Sequence, residues 1–164
     1  MRIFGVDPGT ARVGWAVIET VNKKTIAKIY GCIETEKTDS PQQRLLIIYK
    51  ELLQLLGRHK PKYLSLEELF FATNAKTVMA VGQARGVVLL AAAHHKVPVI
   101  SYSPPAVKLA ICGSGRADKK EVQKRVTELL KLKNIPKPDD TADALAIALT
   151  HAYRINGHSK TKQT

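Results

Sequence analysis

"RIFGVDPGTARVGWAVIET", residues 2–20, contains two strands and the turn between them. Residues 2–7 read as a buried strand that Asp7 closes, Pro8 and Gly9 supply a turn, and residues 12–20 alternate as a second strand. Residues 25–34, "TIAKIYGCIE", make a third. Strands this close together leave no room for a crossover, so they form an antiparallel meander. Downstream, Ser40 offers an N-cap with Pro41 at the first helical position, and Leu45, Leu46, Ile48, Tyr49, Leu52, Leu53 and Leu56 recur at helical spacing up to Gly57. "KYLSLE" (62–67) is a fourth strand, a helix runs from Asn74 to about His95, and "VPVISY" (97–102) is a fifth strand. A short helix over 105–111, a glycine-bearing loop, a helix over 119–132 and a closing helix over 140–155 complete the chain. Because the later strands alternate with helices, they should be parallel. The order βββαβαβα gives an α/β protein with one mixed five-stranded sheet, helices packed on its faces, and no internal repeat or interdomain linker.

At 164 residues the chain fits one domain, and a chain near this size buries about 68–70% of its unfolded surface. No apolar run is long enough to span a bilayer, and "MRIFGVDPG" reaches an aspartate too early for a signal peptide. A cytoplasmic protein with no membrane partner is therefore expected. Cys32 and Cys112 form no CxxC or Cys/His ligand spacing and read as packing residues in a reduced compartment. Lys plus Arg number 26 against 14 Asp plus Glu, a net +12 that attracts polyanions, nucleic acid first among them.

Several acids stand where a basic protein has no general need of them. Asp7 before Pro-Gly is ordinary turn chemistry, yet it shares a strand face with Ile3 and Gly5. A carboxylate on a buried face must be paired or bind metal. Period two puts Glu67 on the face of Tyr63 and Ser65, whereas Glu68 follows Leu64 and Leu66. Glu67 is the stronger ligand candidate and Glu68 stays in reserve. In "DDTADALAIAL" (139–149), Asp140 and Asp143 resemble a capping box, and the same spacing also lets them converge on a cation. Asp139 lies off that face and is expected in solvent. If strands one and four are parallel neighbours, Asp7 and Glu67 sit side by side at their carboxyl ends, where open α/β sheets place ligands. Docking the last helix there adds Asp140 and Asp143. Such a cluster calls for hard divalent ions, Mg²⁺ or Mn²⁺. Two ions about 4 Å apart would clamp the attacking and leaving oxygens of a phosphodiester.

"GVDPGTARVGWAVIE" (5–19), "LSLEELFFATNAKTVMAVGQARGVVLLAA" (64–92), "GSGRADKKEVQ" (113–123) and "DTADALAIALTH" (140–151), in this order, closely resemble the bacterial RuvC Holliday-junction resolvases. The resemblance covers residues 1 to about 151. It implies an RNase H-like fold and a homodimer that uses Mg²⁺ or Mn²⁺ to cut symmetry-related strands of four-way junction DNA. It also implies cooperation with the RuvA and RuvB branch-migration proteins. Asp7, Glu67, Asp140 and Asp143 become the catalytic, metal-binding set by motif, although some relatives carry histidine where this chain has Asp140. Glu67 is preferred to Glu68 because the family's acid stands three residues before a phenylalanine, here Phe70. Residues 1–155 are then a single RNase H-like nuclease domain, and 156–164 a basic, disordered tail.

The same resemblance assigns DNA contacts. Lys119 and Lys120 open a helix that Asp118 and Glu121 cap as a capping box, and lysine there opposes the macrodipole unless an anion is present. Lys119 matches the lysine of the family's "ADK" segment, Lys108 is a DNA-contacting or supporting residue, and Arg116 lies in the same basic loop. Phe70 is placed to stack on a base opened at the crossover, a contact worth about 1–3 kcal/mol. Gly82 and Gly86, one turn apart, permit close approach of another backbone, either the chain's own sheet or a partner. Three rival readings remain at this stage: a junction-binding architectural protein without catalysis, an RNase H-like nuclease acting on RNA, and an actin- or sugar-kinase-like ATPase. The ATPase would need a second, similar domain for which the chain has no repeat.

Overall fold

The computed structural model describes residues 1–68 and 75–157, the side chains of 75–77 excepted. Its elements are β1 (Arg2–Asp7), β2 (Arg12–Val21), β3 (Lys24–Glu34), α1 (Pro41–His59), β4 (Tyr63–Glu67), α2 (Ala75–His94), β5 (Val99–Tyr102), α3 (Pro104–Cys112), α4 (Lys119–Leu129) and α5 (Asp139–Ile155). The sheet has the order β3-β2-β1-β4-β5, with β1 antiparallel to β2, β2 antiparallel to β3, and β4 parallel to both β1 and β5. The meander and the later parallel strands follow the sequence expectation.

Side-chain alternation along β1 divides the core into two layers. Phe4 and Val6 pack with Ile48, Leu52 and Leu56 of α1 and Val88, Ala91 and Ala92 of α2. Ile3 points the other way, onto Leu145, Ile147 and Leu149 of α5 and the neighbouring helices α3 and α4. Alanines 142, 144, 146, 148 and 152 of α5 are buried, and such small side chains let the helix lie close on the strands. Gly5 completes that fit: a Cβ there would overlap the Ala144 carbonyl oxygen and come within 2.7 Å of the Ala148 Cβ.

Some boundaries move. Helix α1 passes Gly57 and stops at Lys60, which adopts the left-handed conformation (φ 44°) and donates its N–H to Leu56 O. Helix α4 ends at Leu129 rather than 132. The expected capping box of Asp140 and Asp143 is not present: α5 begins at Asp139 with Pro138 as N-cap, and no side chain caps it. Of the tail expected over 156–164, Asn156 is the C-cap of α5, and residues 158–164 lie outside those described.

Candidate active site

Parallel pairing of Val6 with Leu66 makes Asp7 and Glu67 the next residues on adjoining strands, side by side at the carboxyl edge of the sheet. On its other flank Asp7 pairs with Gly14 of β2. Gly14 brings the last helix to this point, because a Cβ there would overlap the carbonyl of Asp140. Thr141, fully buried, donates its hydroxyl to Gly31 O at 3.3 Å and anchors the same turn to β3. The start of α5 is thus pinned across β2 and β3, and Asp140 and Asp143 are carried to the edge where β1 and β4 end.

The electrostatics follow from this placement. Burial pushes the Asp7 carboxyl up to about 8, and the charges of Glu67, Asp143 and Asp140 add to the rise while Lys119 opposes it. Glu67 is also raised, by burial and then Asp143, against Lys119 and Lys108. Asp143 moves up as well, because burial outweighs its bond to Lys119. The Oδ2 of Asp140 is buried without a hydrogen-bond partner, and Arg12 Nη1 stands 3.7 Å away, within ion-pair but not hydrogen-bond range. Acids raised chiefly by burial and further by neighbouring carboxylates, with an unsatisfied carboxylate oxygen among them, fit a hard divalent cation in donor chemistry. Among the described residues no three His, Cys, Asp or Glu groups already stand together at ligating positions.

The cationic role is filled from within. Lys119 Nζ lies 2.5 Å from Asp139 Oδ2 and 3.0 Å from Asp143 Oδ2. Burial works against its charge, but those two carboxylates hold the ammonium above the ordinary lysine range. Asp139 is half exposed, as its position off the Asp140–Asp143 face led one to expect, and it also pairs with Lys119, whose bond lowers its carboxyl. The lysine reaches this point from the first residue of α4, whose cap is as expected: Asp118 Oδ1 accepts from Glu121 N at 2.9 Å and Glu121 Oε2 accepts from Asp118 N at 2.8 Å.

A cleft of about 230 Å³ opens beside the carboxylates, lined by Glu67, Lys108, Lys119 and Asp143 over an apolar floor that includes Val107 and Ile147. Lys108 comes from α3. Lys120 and Arg116 are exposed outside that lining, and Glu68 follows β4 with an exposed side chain. Phe70 lies outside the described residues. On α2, a Cβ at Gly86 would meet nothing within 4 Å among the described residues, so this glycine does not serve packing against its own sheet. Met79 and Leu90 on the same helix are 67% and 57% exposed.

Sequence reading missed Arg85 and Arg12. Arg85, on α2, donates Nη1 to the backbone carbonyl of Glu67 and Nη2 to Ser101 Oγ at 2.7 Å. Neither contact leaves a local signal, since the partners are 18 and 16 residues away and only the packed fold brings them together.

Comparison with known proteins agrees with this geometry. The family model for "Crossover junction endodeoxyribonuclease RuvC" matches residues 3–151. The chain is 51% identical over 152 residues to the crossover junction endodeoxyribonuclease RuvC of Moorella thermoacetica, covering 93% of this chain and 91% of that protein. Among solved structures, Thermus thermophilus RuvC superposes with a TM-score of 0.87 at 37% identity, covering 96% of this chain and 97% of the other. T. thermophilus RuvC in complex with Holliday junction substrate gives 0.90 at 36% identity, with 97% of each chain covered.

Proposed function

This chain belongs to the RuvC crossover junction endodeoxyribonuclease family, and on that premise we propose that it resolves four-way DNA junctions in recombination and repair by paired, symmetric nicks. The observation that carries the reading is the placing of Asp7 and Glu67 side by side at one sheet edge with the start of α5 docked against it, where burial raises the carboxyls of Asp7, Glu67 and Asp143 and neighbouring acids add to the rise. A purely structural site has no reason to bury acids against one another, and a site for phosphodiester hydrolysis does.

Asp7, Glu67, Asp140 and Asp143 are proposed as the residues that hold divalent metal, Mg²⁺ with Mn²⁺ able to substitute, and two ions per site suit this donor set. Bound there, the metal would ease ionisation of the attacking water and neutralise charge on the leaving oxygen, giving 5′-phosphate and 3′-hydroxyl ends. The chain's own part is positional. Glu67 and Asp7 would offer the metal their oxygens from rigid strand ends, and Asp140 and Asp143 theirs from the start of α5. Lys108 and Lys119, lining the cleft beside Glu67 and Asp143, receive the phosphate's negative charge. Arg116 and Lys120 contact backbone phosphates further out, where charge gives affinity without sequence preference. Phe70 stacks on a base at the opened crossover.

Cutting two equivalent strands calls for two sites related by a twofold axis. The outer face of α2, with Met79, Gly86 and Leu90 uncovered, supports pairing of two copies there. Cooperation with RuvA and RuvB is proposed on the family resemblance. No helix among the described residues is long and apolar enough to cross a membrane, and a cytoplasmic location is proposed.

An architectural protein without catalysis is the reading to test against. A synthetic four-way junction incubated with the protein in Mg²⁺ yields paired ligatable nicks if the proposal holds, whereas binding without cleavage in Mg²⁺ or Mn²⁺ supports the architectural alternative.

A further inference from the structure

Arg85 stands apart from the carboxylates and from the DNA-facing lysines, yet it touches the strand that carries Glu67. Helix α2 belongs to the layer that covers Phe4, Val6, Leu64 and Leu66. By the alternation of β4, the Glu67 carboxyl projects from the opposite face, with Ser65 and Tyr63. The guanidinium therefore reaches the end of the sheet from behind the proposed site. There it spends one N–H on the Glu67 carbonyl and another on Ser101 Oγ, joining the last turns of β4 and β5 to a helix of the other layer. The β ladder continues just past this point, where Glu68 N donates to Tyr102 O at 2.8 Å.

A planar guanidinium fork offers fixed donors, and two of them on two different strands set both distance and direction. We infer that Arg85 is a positioning residue: it fixes the backbone from which the Glu67 carboxylate projects, and so sets how well that carboxylate reaches a divalent ion shared with Asp7. The inference rests on the proposed metal site and deepens it. Unlike Lys108 and Lys119, Arg85 is not among the residues lining the cleft, so its effect should reach the metal without altering how junction DNA is held. Groups that orient a ligand from behind typically change metal affinity or activity by about 10–100-fold when removed.

The test uses the full chain and its Arg85→Gln, Arg85→Lys and Ser101→Ala variants. Mn²⁺ binding is measured by calorimetry without DNA, junction affinity in Ca²⁺, cleavage in Mg²⁺, and melting temperature without metal. Arg85→Gln should weaken Mn²⁺ binding by about 10-fold or more and lower the cleavage rate constant comparably, with junction affinity unchanged within about twofold. Arg85→Lys, which can reach one acceptor but not span both, should fall between, and Ser101→Ala should show a smaller loss of the same kind. If Arg85→Gln fails to fold, Ser101→Ala and Arg85→Lys carry the decision. Wild-type Mn²⁺ affinity in the folded variants overturns the inference, and so does a loss of junction affinity in step with melting temperature. If the wild-type protein binds Mn²⁺ yet cuts no junction, the resolvase reading fails separately, while the Mn²⁺ comparison still decides the role of Arg85.

Discussion

Lys119, from the start of α4, holds Asp143 of α5 at 3.0 Å, and its ammonium also lies against Asp139. The ion pair places a positive charge at the carboxylate proposed to bind metal. An ammonium and a divalent ion compete for the same negative field, so they should exclude one another in part. Lys119→Gln is expected to tighten Mn²⁺ binding several-fold in calorimetry while lowering junction cleavage by at least about 100-fold, because the charge that receives the phosphate is gone. Weaker Mn²⁺ binding in the variant would count against a competing role.

Asp7 links the site to stability. Its carboxyl titrates near 3.8 in the unfolded chain and is raised to about 8 in the metal-free fold. Between those values the native state keeps a proton that the unfolded state has lost, so the contribution is complete below about pH 4 and is lost as pH rises towards 8. Glu67 and Asp143 are raised and act in the same direction. The metal-free protein should therefore melt at progressively lower temperature from pH 5 to 8, and Asp7→Asn should flatten that slope. At pH 8 the variant should melt at least about 3 °C above wild type, roughly 1 kcal/mol for a chain of this size. A scanning calorimetry series in EDTA measures both, and equal slopes would contradict the buried-acid picture.

Gly14 tests the docking of α5. Adding a methyl group at a position where a Cβ would overlap the Asp140 carbonyl forces the helix away from β2. Gly14→Ala should destabilise by about 1–3 kcal/mol in denaturant melts. Cleavage should fall further than stability alone explains, because Asp140 and Asp143 move with the helix. Full activity at reduced stability would show that the acids tolerate the shift.

The α2 face gives a prediction about assembly. Leu90 is 57% exposed beside Gly86 and Met79, and a charge there opposes burial against a second copy. Leu90→Glu should sediment as a monomer at micromolar concentration with little change in melting temperature. Paired nicks should give way to slow, uncoordinated ones. A variant that still sediments as a dimer would place the interface elsewhere.

The strands and the antiparallel meander were legible because period-two alternation and the short turn at Pro8–Gly9 act locally. Asp7 and Glu67 followed from them, since parallel pairing brings the ends of β1 and β4 together by geometry alone. The start of α5 was less legible. Asp140 and Asp143 have the spacing of a cap, but Pro138 takes the cap position, and what fixes this turn is Gly14 and Thr141. The partnership of Asp139 with Lys119 and the reach of Arg85 to Glu67 depend on helices from distant segments, and neither has a spacing rule. Gly86 was readable only as an opening for close approach, and its surroundings decide that its own sheet does not fill it.

Incubation with a synthetic mobile four-way junction and a matched linear duplex, in Mg²⁺ or EDTA and with wild type beside Asp7→Asn, tests the central claim most directly. The account predicts symmetric, ligatable nicks in the junction alone, dependent on Mg²⁺ and absent in the variant. Junction binding without cleavage by the wild type in either Mg²⁺ or Mn²⁺, or undiminished cleavage by Asp7→Asn, would contradict it.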